Sequence, residues 1–187
     1  TNYLLIGDAY LSASSQQRQE MLHGVDALIT REPGYCLCIS TADCVPVLVY
    51  DKKHGAIAAI HAGWRGTVAY IVRDTLLRME EEFGTSGEDV VACIGPSISL
   101  ASFEVGEEVY EAFQKNGFDM PRISIRKEEP ENIISTCGKR TECKSLLSVC
   151  RPDRWSLPDM YVYSSRRVFL GKAFGIKSGR ILSGIMI

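Results

Sequence analysis

The apolar residues of this chain are grouped in short runs, a pattern typical of β-strands rather than of long helices. Glycine, proline and aspartate separate the runs, for example in the hairpin-type turn at residues 51–55. We predict strands over residues 3–6, 26–30, 36–40, 45–50, 55–61, 90–94 and 180–187. The strand at 55–61 is rich in small apolar residues and is expected to be buried on both faces.

Two segments show the period of an amphipathic helix. Residues 67–83 place Ile71 and Met79 on one side and charged residues on the other, and Gly84 is expected to end this helix. Residues 107–115 form the second predicted helix.

The order of these elements predicts the fold class. Strands in series with only two clear helices indicate an α/β fold of the α+β layered type, in which helices flank a mixed β-sheet core. Residues 12–19 are polar and are predicted to form a loop. The length fits one domain over residues 1–187. The chain begins at Thr1, and we expect its natural N-terminus to be missing.

The composition of the chain argues against some classes of binding partner and indicates a cellular location. The formal net charge of −2 gives no general attraction to nucleic acid or to a membrane surface. No apolar run approaches the roughly 18–20 residues of a transmembrane helix. The seven cysteines include no CxxC pair, so we expect a reducing, cytoplasmic location. Cys36 and Cys38 alternate within a strand, and we interpret them as small core residues on one face.

The candidate chemistry lies at the ends of two neighbouring strands. Cys44 precedes one apolar strand and His61 ends the next, so a tight hairpin would bring thiol and imidazole together. Thiolate and imidazole are ligands that zinc or copper prefers. Without metal, the same pair is a nucleophile and its base. Each residue alone is more often structural, as a core thiol or a hydrogen-bonded histidine.

A glycine-rich corner follows His61. We expect a helix to begin near Thr67, and helix N-termini favour anions. Arg65 could hold a phosphate or carboxylate through two hydrogen bonds, although a solvated surface charge is the simpler interpretation. Trp64 is interpreted as a packing residue that could also stack on a base. His23 and His54 are interpreted as surface residues, with His54 at the far end of the hairpin.

The motifs TADCVPVLVYD, AAIHAGWRGT, IGPSISLASFEVG and GIKSGRILSGI closely resemble the YfiH-type laccase-domain family, also described as polyphenol oxidases and as zinc-dependent purine nucleoside phosphorylases. The resemblance implies a layered α/β fold related to a Cys-His toxin deamidase. It also implies a mononuclear metal site with two histidines and one cysteine, of which Cys44 and His61 match two ligands. The family's first histidine lies before a segment like residues 1–6 and is not in this sequence.

The resemblance further implies the reactions and the partners. These are phosphorolysis of adenosine, inosine, guanosine and methylthioadenosine, and deamination of adenosine. Zinc is the expected cofactor, with copper as the alternative. We expect a purine nucleoside and phosphate as substrates, and a monomer or weak homodimer. Cys44, His61 and Arg65 are the predicted catalytic residues. The predicted substrate-binding residues are Asp43, Arg65, Gly66, Gly95 and Ser97.

Three other functions use the same residues differently. A metal-free hydrolase or deamidase would use Cys44 as nucleophile and His61 as base. A copper-dependent polyphenol oxidase would need more histidines than the three present. A non-enzymatic binding module would leave the polar site without a purpose.

Residues 132–174 break the family pattern. They contain three of the seven cysteines and show no convincing periodicity. With freely chosen synonymous codons, residues 133–142 can be shifted in frame to give HLDLWEANR, and residues 160–175 to give ICTYIHHEEFFSARRLG, both like the family. We therefore expect residues 132–174 to be a frame-shifted reading, with a helix near residues 134–147. The alternative is a truly divergent loop.

Peptide mapping of the purified protein tests the frame-shift hypothesis. If the segment is frame-shifted, no peptide will match residues 132–174 as printed, and the intact mass will differ from that of the printed sequence. Peptides covering the segment as printed would show that this is a divergent loop.

Overall fold

The computed structural model describes residues 2–98, 103–126, 133–135, 159–162 and 179–187. The helices are α1 (Asp8–Leu11), α2 (Ser15–Leu22), α3 (Trp64–Val68), α4 (Ile71–Phe83), α5 (Glu107–Lys115) and α6 (Met120–Ile123). The strands are β1 (Tyr3–Leu5), β2 (Ala27–Thr30), β3 (Cys36–Thr41), β4 (Val45–Asp51), β5 (Ala56–Ala62), β6 (Val90–Ile94), β7 (Glu104–Val105), β8 (Ser124–Arg126), β9 (Ile133–Ser135), β10 (Asp159–Val162) and β11 (Ile181–Met186).

A six-stranded mixed sheet in the order β1-β2-β5-β4-β6-β10 forms the centre of the fold. Strand β5 pairs antiparallel with both β2 and β4, and all of its residues except His61 are buried. Strands β3 and β11 form a separate antiparallel pair. Strands β7, β9 and β8 form a third small sheet. The predicted α/β layered architecture with a mixed sheet is thereby confirmed.

The two faces of the central sheet are covered differently. Helix α4 packs on one face, where Ile71, Leu76 and Met79 meet alternate residues of β4 and β5. Complete burial of a side chain such as Leu76 contributes about 1.5–3 kcal/mol to the free energy of unfolding. The β3–β11 pair covers the other face, where Leu37 and Ile39 contact the intervening residues of β5. The β4–β5 hairpin therefore lies in the middle layer of three, between helix α4 and the β3–β11 pair.

The helical predictions need two corrections. The segment predicted as a loop forms α2, which begins with a capping box between Ser14 and Gln17. The helix predicted over 67–83 is two helices, because Tyr70 adopts a left-handed φ of 58° between α3 and α4. Stacking of the Tyr70 ring on Phe118, with ring centroids 5.2 Å apart, holds this unfavourable conformation. Gly84 ends α4 as predicted.

Two interpretations of single residues are wrong. Cys36 and Cys38 do share one face of β3, but that face is exposed and the alternate residues form the core. His54 is half-buried rather than a surface residue, because its Nδ1 lies 2.8 Å from Oδ2 of the fully buried Asp51. His23 is exposed, as predicted.

Most of residues 132–174 lie outside the described residues. Within the segment, β9 and β10 are described, so a strand occupies the start of the helix predicted near 134–147. In the part of the chain that the structure describes, no helix has the length and apolarity needed to cross a membrane.

Candidate functional site

The register of the β4–β5 hairpin brings Cys44 and His61 together. Val45 pairs with Ala62 and Pro46 pairs with His61, so continuation of this register places Cys44 opposite Gly63. Residues two apart on a strand point to the same face, which makes Cys44 and His61 diagonal neighbours on one face of the hairpin. The predicted approach of thiol and imidazole is therefore present in the structure.

Gly63 leaves the space in which the two side chains meet. A Cβ atom at this position would lie 3.4 Å from Sγ of Cys44 and 3.8 Å from Nε2 of His61. The thiol and the imidazole also form a hydrogen bond. Both donor atoms thus border one point beside the hairpin end, and a Cβ at residue 63 would be in van der Waals contact with both.

Asp26 fixes the orientation of His61. Its Oδ1 lies 3.1 Å from Nδ1 of the imidazole, and the His61 amide donates to the Asp26 carbonyl at 2.7 Å. The contact to Nδ1 leaves Nε2 directed towards Cys44. Sequence reasoning missed Asp26, although its position directly before β2, which pairs with β5, was a usable indication.

The surroundings of His61 favour its protonated form. The hydrogen bond with Cys44 is the largest cause, and the Asp26 carboxylate adds to it, whereas burial acts in the opposite direction. Together they raise the pKa of His61 from 6.5 to about 9. His61 of the metal-free protein is therefore an imidazolium at neutral pH, and a metal ion that binds Nε2 must displace a proton.

The corner after His61 differs from the prediction in where its helix begins. Helix α3 starts at Trp64 rather than near Thr67, with Gly63 at its N-cap. Arg65 is exposed in its first turn, and its guanidinium lies 4.2 Å from the centroid of the Trp64 ring. Trp64 also packs against the cluster formed around α5, which makes it a packing residue. Gly66 is buried against Ile71.

The turn after β6 lies alongside Cys44. The Ile98 amide donates to the Asp43 carbonyl at 3.0 Å, and the Gly95 amide donates to the Pro46 carbonyl at 2.9 Å. These two bonds fix the turn that carries Ser97 beside the segment that carries the thiol. A Cβ on Gly95 would come within 2.8 Å of Pro46 Cγ, so glycine is required here for close packing.

A cavity of about 260 Å³ opens beside His61, between β3 and the segment that runs from Leu22 to Leu28. This volume lies just below the roughly 300–1,000 Å³ typical of small-molecule sites. Most of its wall is apolar. The lining residues are Leu22, Val25, Leu28, Cys38, Ile39, Ser40 and His61.

The thiol of Cys44 and the imidazole of His61 are suitable ligands for a thiophilic metal such as zinc, but they are only two. Thiolate and imidazole are zinc ligands, and a carboxylate on the distal nitrogen is the usual support of a ligating histidine. Catalytic zinc sites have three protein ligands. Among the residues that the structure describes, no cluster of three or more His, Cys, Asp or Glu side chains is suited to a metal. Cys44 and His61 could therefore supply two ligands, one fewer than a catalytic zinc site has.

Comparison with known proteins identifies relatives over the whole chain. Residues 7–141 match the family model described as "Multi-copper polyphenol oxidoreductase laccase". A protein of Bacteroides thetaiotaomicron named "Purine nucleoside phosphorylase" is 77% identical over 188 residues, which are 100% of this chain and 70% of that protein. A protein from an unknown prokaryotic organism named "Adenosine deaminase RL5" is 32% identical, over 97% of this chain and 69% of its own length.

A solved structure supports the fold. The protein YfiH of Bacillus licheniformis superposes with a TM-score of 0.75 at 25% sequence identity. The superposition covers 87% of this chain and 61% of that protein. The chain thus spans between three fifths and seven tenths of these relatives. The resemblance stated from the motifs is confirmed.

The pKa of His61 tests the geometry of the site. In the metal-free protein, NMR titration of the imidazole should give a pKa of about 9. Cys44→Ala should lower this pKa more than Asp26→Asn does, because the hydrogen bond with Cys44 is the larger cause.

The signals of His54, at the opposite end of the hairpin, report whether each variant remains folded. A His61 pKa near 6.5 in the unsubstituted protein, or one that neither substitution moves, would contradict the arrangement described here.

Proposed function

This chain belongs to the multi-copper polyphenol oxidoreductase laccase family, and we propose that it acts as a purine nucleoside phosphorylase that also deaminates adenosine. The name of the 77% identical relative supports the first activity, and the name of the 32% identical relative supports the second. The convergence of Cys44 and His61 beside Gly63 is the structural observation that carries the proposal.

The proposed cofactor is zinc, with copper as the alternative. Cys44 and His61 would hold it, and it would supply Lewis-acid polarisation of an oxygen on phosphate, water or substrate. Asp26 keeps the imidazole aligned, because its carboxylate occupies Nδ1 and leaves Nε2 for the ligand role. Gly63 keeps the approach free of side-chain atoms.

The other predicted site residues receive roles in binding. We assign Arg65 to phosphate, because its guanidinium is exposed in the first turn of α3, two residues after Gly63. The mostly apolar cavity beside His61 would take the purine base. The remaining proposed substrate-binding residues are Asp43, Gly66, Gly95 and Ser97.

Deamination requires a different use of the same groups. In phosphorolysis, phosphate attacks C1′ of the ribose and the purine leaves, whereas in deamination water attacks C6 of the purine and ammonia leaves. Deamination therefore does not need the phosphate contact of Arg65. A reducing, cytoplasmic location fits a site that depends on a free thiol, and Cys44 is free in the structure. We keep a monomer or weak homodimer as the proposed assembly.

One observation favours a second candidate function. The contacts run from Cys44 through His61 to Asp26, which is the order of nucleophile, base and orienting carboxylate in cysteine hydrolases. A metal-free hydrolase or deamidase would therefore use the same three side chains. Chelation separates the two functions, because it should spare a hydrolase and stop a metal-dependent phosphorylase.

Copper-based phenol oxidation has less support from the residues. Multicopper electron transfer needs many imidazole ligands, and the chain has three histidines. Of these, His54 lies at the other end of the β4–β5 hairpin, paired with Asp51, and only His61 contacts Cys44.

Product analysis of the zinc-loaded protein tests the proposed function. Inosine with phosphate should give hypoxanthine and ribose 1-phosphate, and adenosine without phosphate should give inosine. Cys44→Ala should abolish both reactions. Turnover of amides but of no nucleoside, with full resistance to chelators, would establish the hydrolase instead.

A substitution of Arg65 should separate the two proposed reactions. Arg65→Gln should raise the KM for phosphate by roughly 10–100-fold, since hydrogen bonds to charged groups contribute about 1.5–3 kcal/mol. Adenosine deamination should change by less than about threefold, because it uses no phosphate.

Arg73→Gln is the matched control, since Arg73 also lies over an aromatic ring, that of Tyr70 at 4.4 Å. It should leave both reactions unchanged. An equal loss of both reactions in Arg65→Gln would place Arg65 outside the phosphate site.

A further inference from the structure

The exposed face of the β3–β11 pair carries three sulfur-containing side chains. Cys36 and Cys38 point to solvent from alternate positions of β3. Met186 on β11 pairs directly with Cys36, and it is 64% exposed. Directly opposed residues of an antiparallel pair lie on the same face, so Met186 and Cys36 are cross-strand neighbours on this face. Of these three residues, Cys38 also lines the cavity beside His61, whereas Cys36 and Met186 do not line it.

Glycine keeps this face open at its centre. Gly184 pairs with Cys38, between Leu182 and Met186 on the same face of β11. A Cβ atom at Gly184 would lie 3.2 Å from Sγ of Cys38 and 3.3 Å from Sγ of Cys36. The two thiols therefore converge on a space that any other residue at position 184 would fill.

The separation of the thiols favours a bridging metal over a disulfide. Their Sγ atoms lie 3.5 Å apart. Two sulfurs that share a metal at about 2.3 Å are roughly 3.8–4.6 Å apart, so small side-chain rotations suffice. A disulfide needs about 2.05 Å and a Cα separation of about 4.4–6.8 Å. Residues two apart on an extended strand are about 6.6 Å apart, near the upper limit of that range.

The donor chemistry selects the ion. Two thiols and one thioether provide soft ligands, and thioethers favour Cu(I) over zinc. We propose that Cys36, Cys38 and Met186 form a metal site, separate from Cys44 and His61, that binds one Cu(I) ion. Binding converts both thiols into thiolates and releases two protons, and no electron is transferred.

A hydrogen bond joins the two thiols when no metal is bound. The hydrogen bond with Cys36 raises the pKa of the Cys38 thiol, and burial adds a smaller increase. These contacts favour the neutral form of the Cys38 thiol in the unliganded protein. The metal must replace those protons, as in other thiolate sites.

Anaerobic titration of the full chain with Cu(I), in competition with bicinchoninate, tests the proposal. The unsubstituted protein should bind one equivalent more than the Cys36→Ser/Cys38→Ser variant. The same difference of one equivalent should appear when both proteins also carry Cys44→Ser, which removes the thiol of the other site. Cys93→Ser, which removes a partly buried free thiol on β6, is the control and should bind as much as the unsubstituted protein.

Met186→Leu tests the third ligand, because leucine keeps the apolar volume and removes the sulfur. It should retain the extra equivalent with an affinity lowered by roughly tenfold. Cys36, Cys38 and Met186 are exposed, whereas Cys44 and Cys93 are partly buried. Unchanged circular dichroism spectra will show that all the variants fold. Equal Cu(I) stoichiometry with and without the two cysteines would overturn the proposal. So would peptide mapping that finds Cys36 and Cys38 joined as a disulfide in protein prepared anaerobically.

Discussion

The register of the β4–β5 hairpin is the constraint on which the site depends. Seven residue pairs from Val45–Ala62 to Asp51–Ala56 lock the two strands, and the pairing leaves Cys44 opposite Gly63. A slip of one residue would turn His61 to the opposite face of the sheet, towards α4. In the observed register, His61 shares a face with Ile57 and Ala59, which contact the β3–β11 pair. The cavity lies on that same side.

Glycine residues shape the site together with the reactive side chains, because they leave space where a side chain would otherwise lie. Gly63 leaves room for thiol and imidazole to meet, and Gly95 lets the turn with Ser97 approach Pro46. Asp26 then selects which nitrogen of His61 faces the thiol. The same device recurs on β11, where Gly184 leaves the two thiols of β3 open to a ligand. In both places a glycine lies opposite a cysteine: Gly184 pairs with Cys38 within the β3–β11 pair, and Gly63 lies opposite Cys44 just beyond the end of the β4–β5 pair.

The sequence alone predicted those helices and strands in which the pattern of apolar residues matches the residues that are buried in the structure. Strand β6 and helix α5 have the bounds that periodicity gives, and the Cys44–His61 approach follows from a hairpin turn of ordinary type. Helix α2 was missed because it is polar on all sides, although its capping box was visible. The break at Tyr70 depends on Phe118, which is distant in sequence, so no local pattern reveals it.

The remaining differences between the sequence predictions and the structure also arise from contacts between elements that are distant in sequence. Alternation correctly placed Cys36 and Cys38 on one face of β3, but only the packing of β3 on the central sheet decides which face is buried. Asp26 reaches His61 through the β2–β5 pairing, which a strand pattern cannot supply. Period and turn chemistry therefore indicate the reactive pair, whereas its orienting carboxylate and the exposed thiol pair emerge only from strand order.

The proposed chemistry depends on the binding of one metal ion by Cys44 and His61 together. X-ray absorption at the zinc edge measures this directly on protein that carries one equivalent of zinc and the Cys36→Ser/Cys38→Ser substitutions. Binding by both residues predicts one sulfur neighbour at about 2.3 Å with nitrogen at about 2.0–2.1 Å, and loss of that sulfur in Cys44→Ser. A spectrum without sulfur, or one in which sulfur persists after Cys44→Ser, would contradict it.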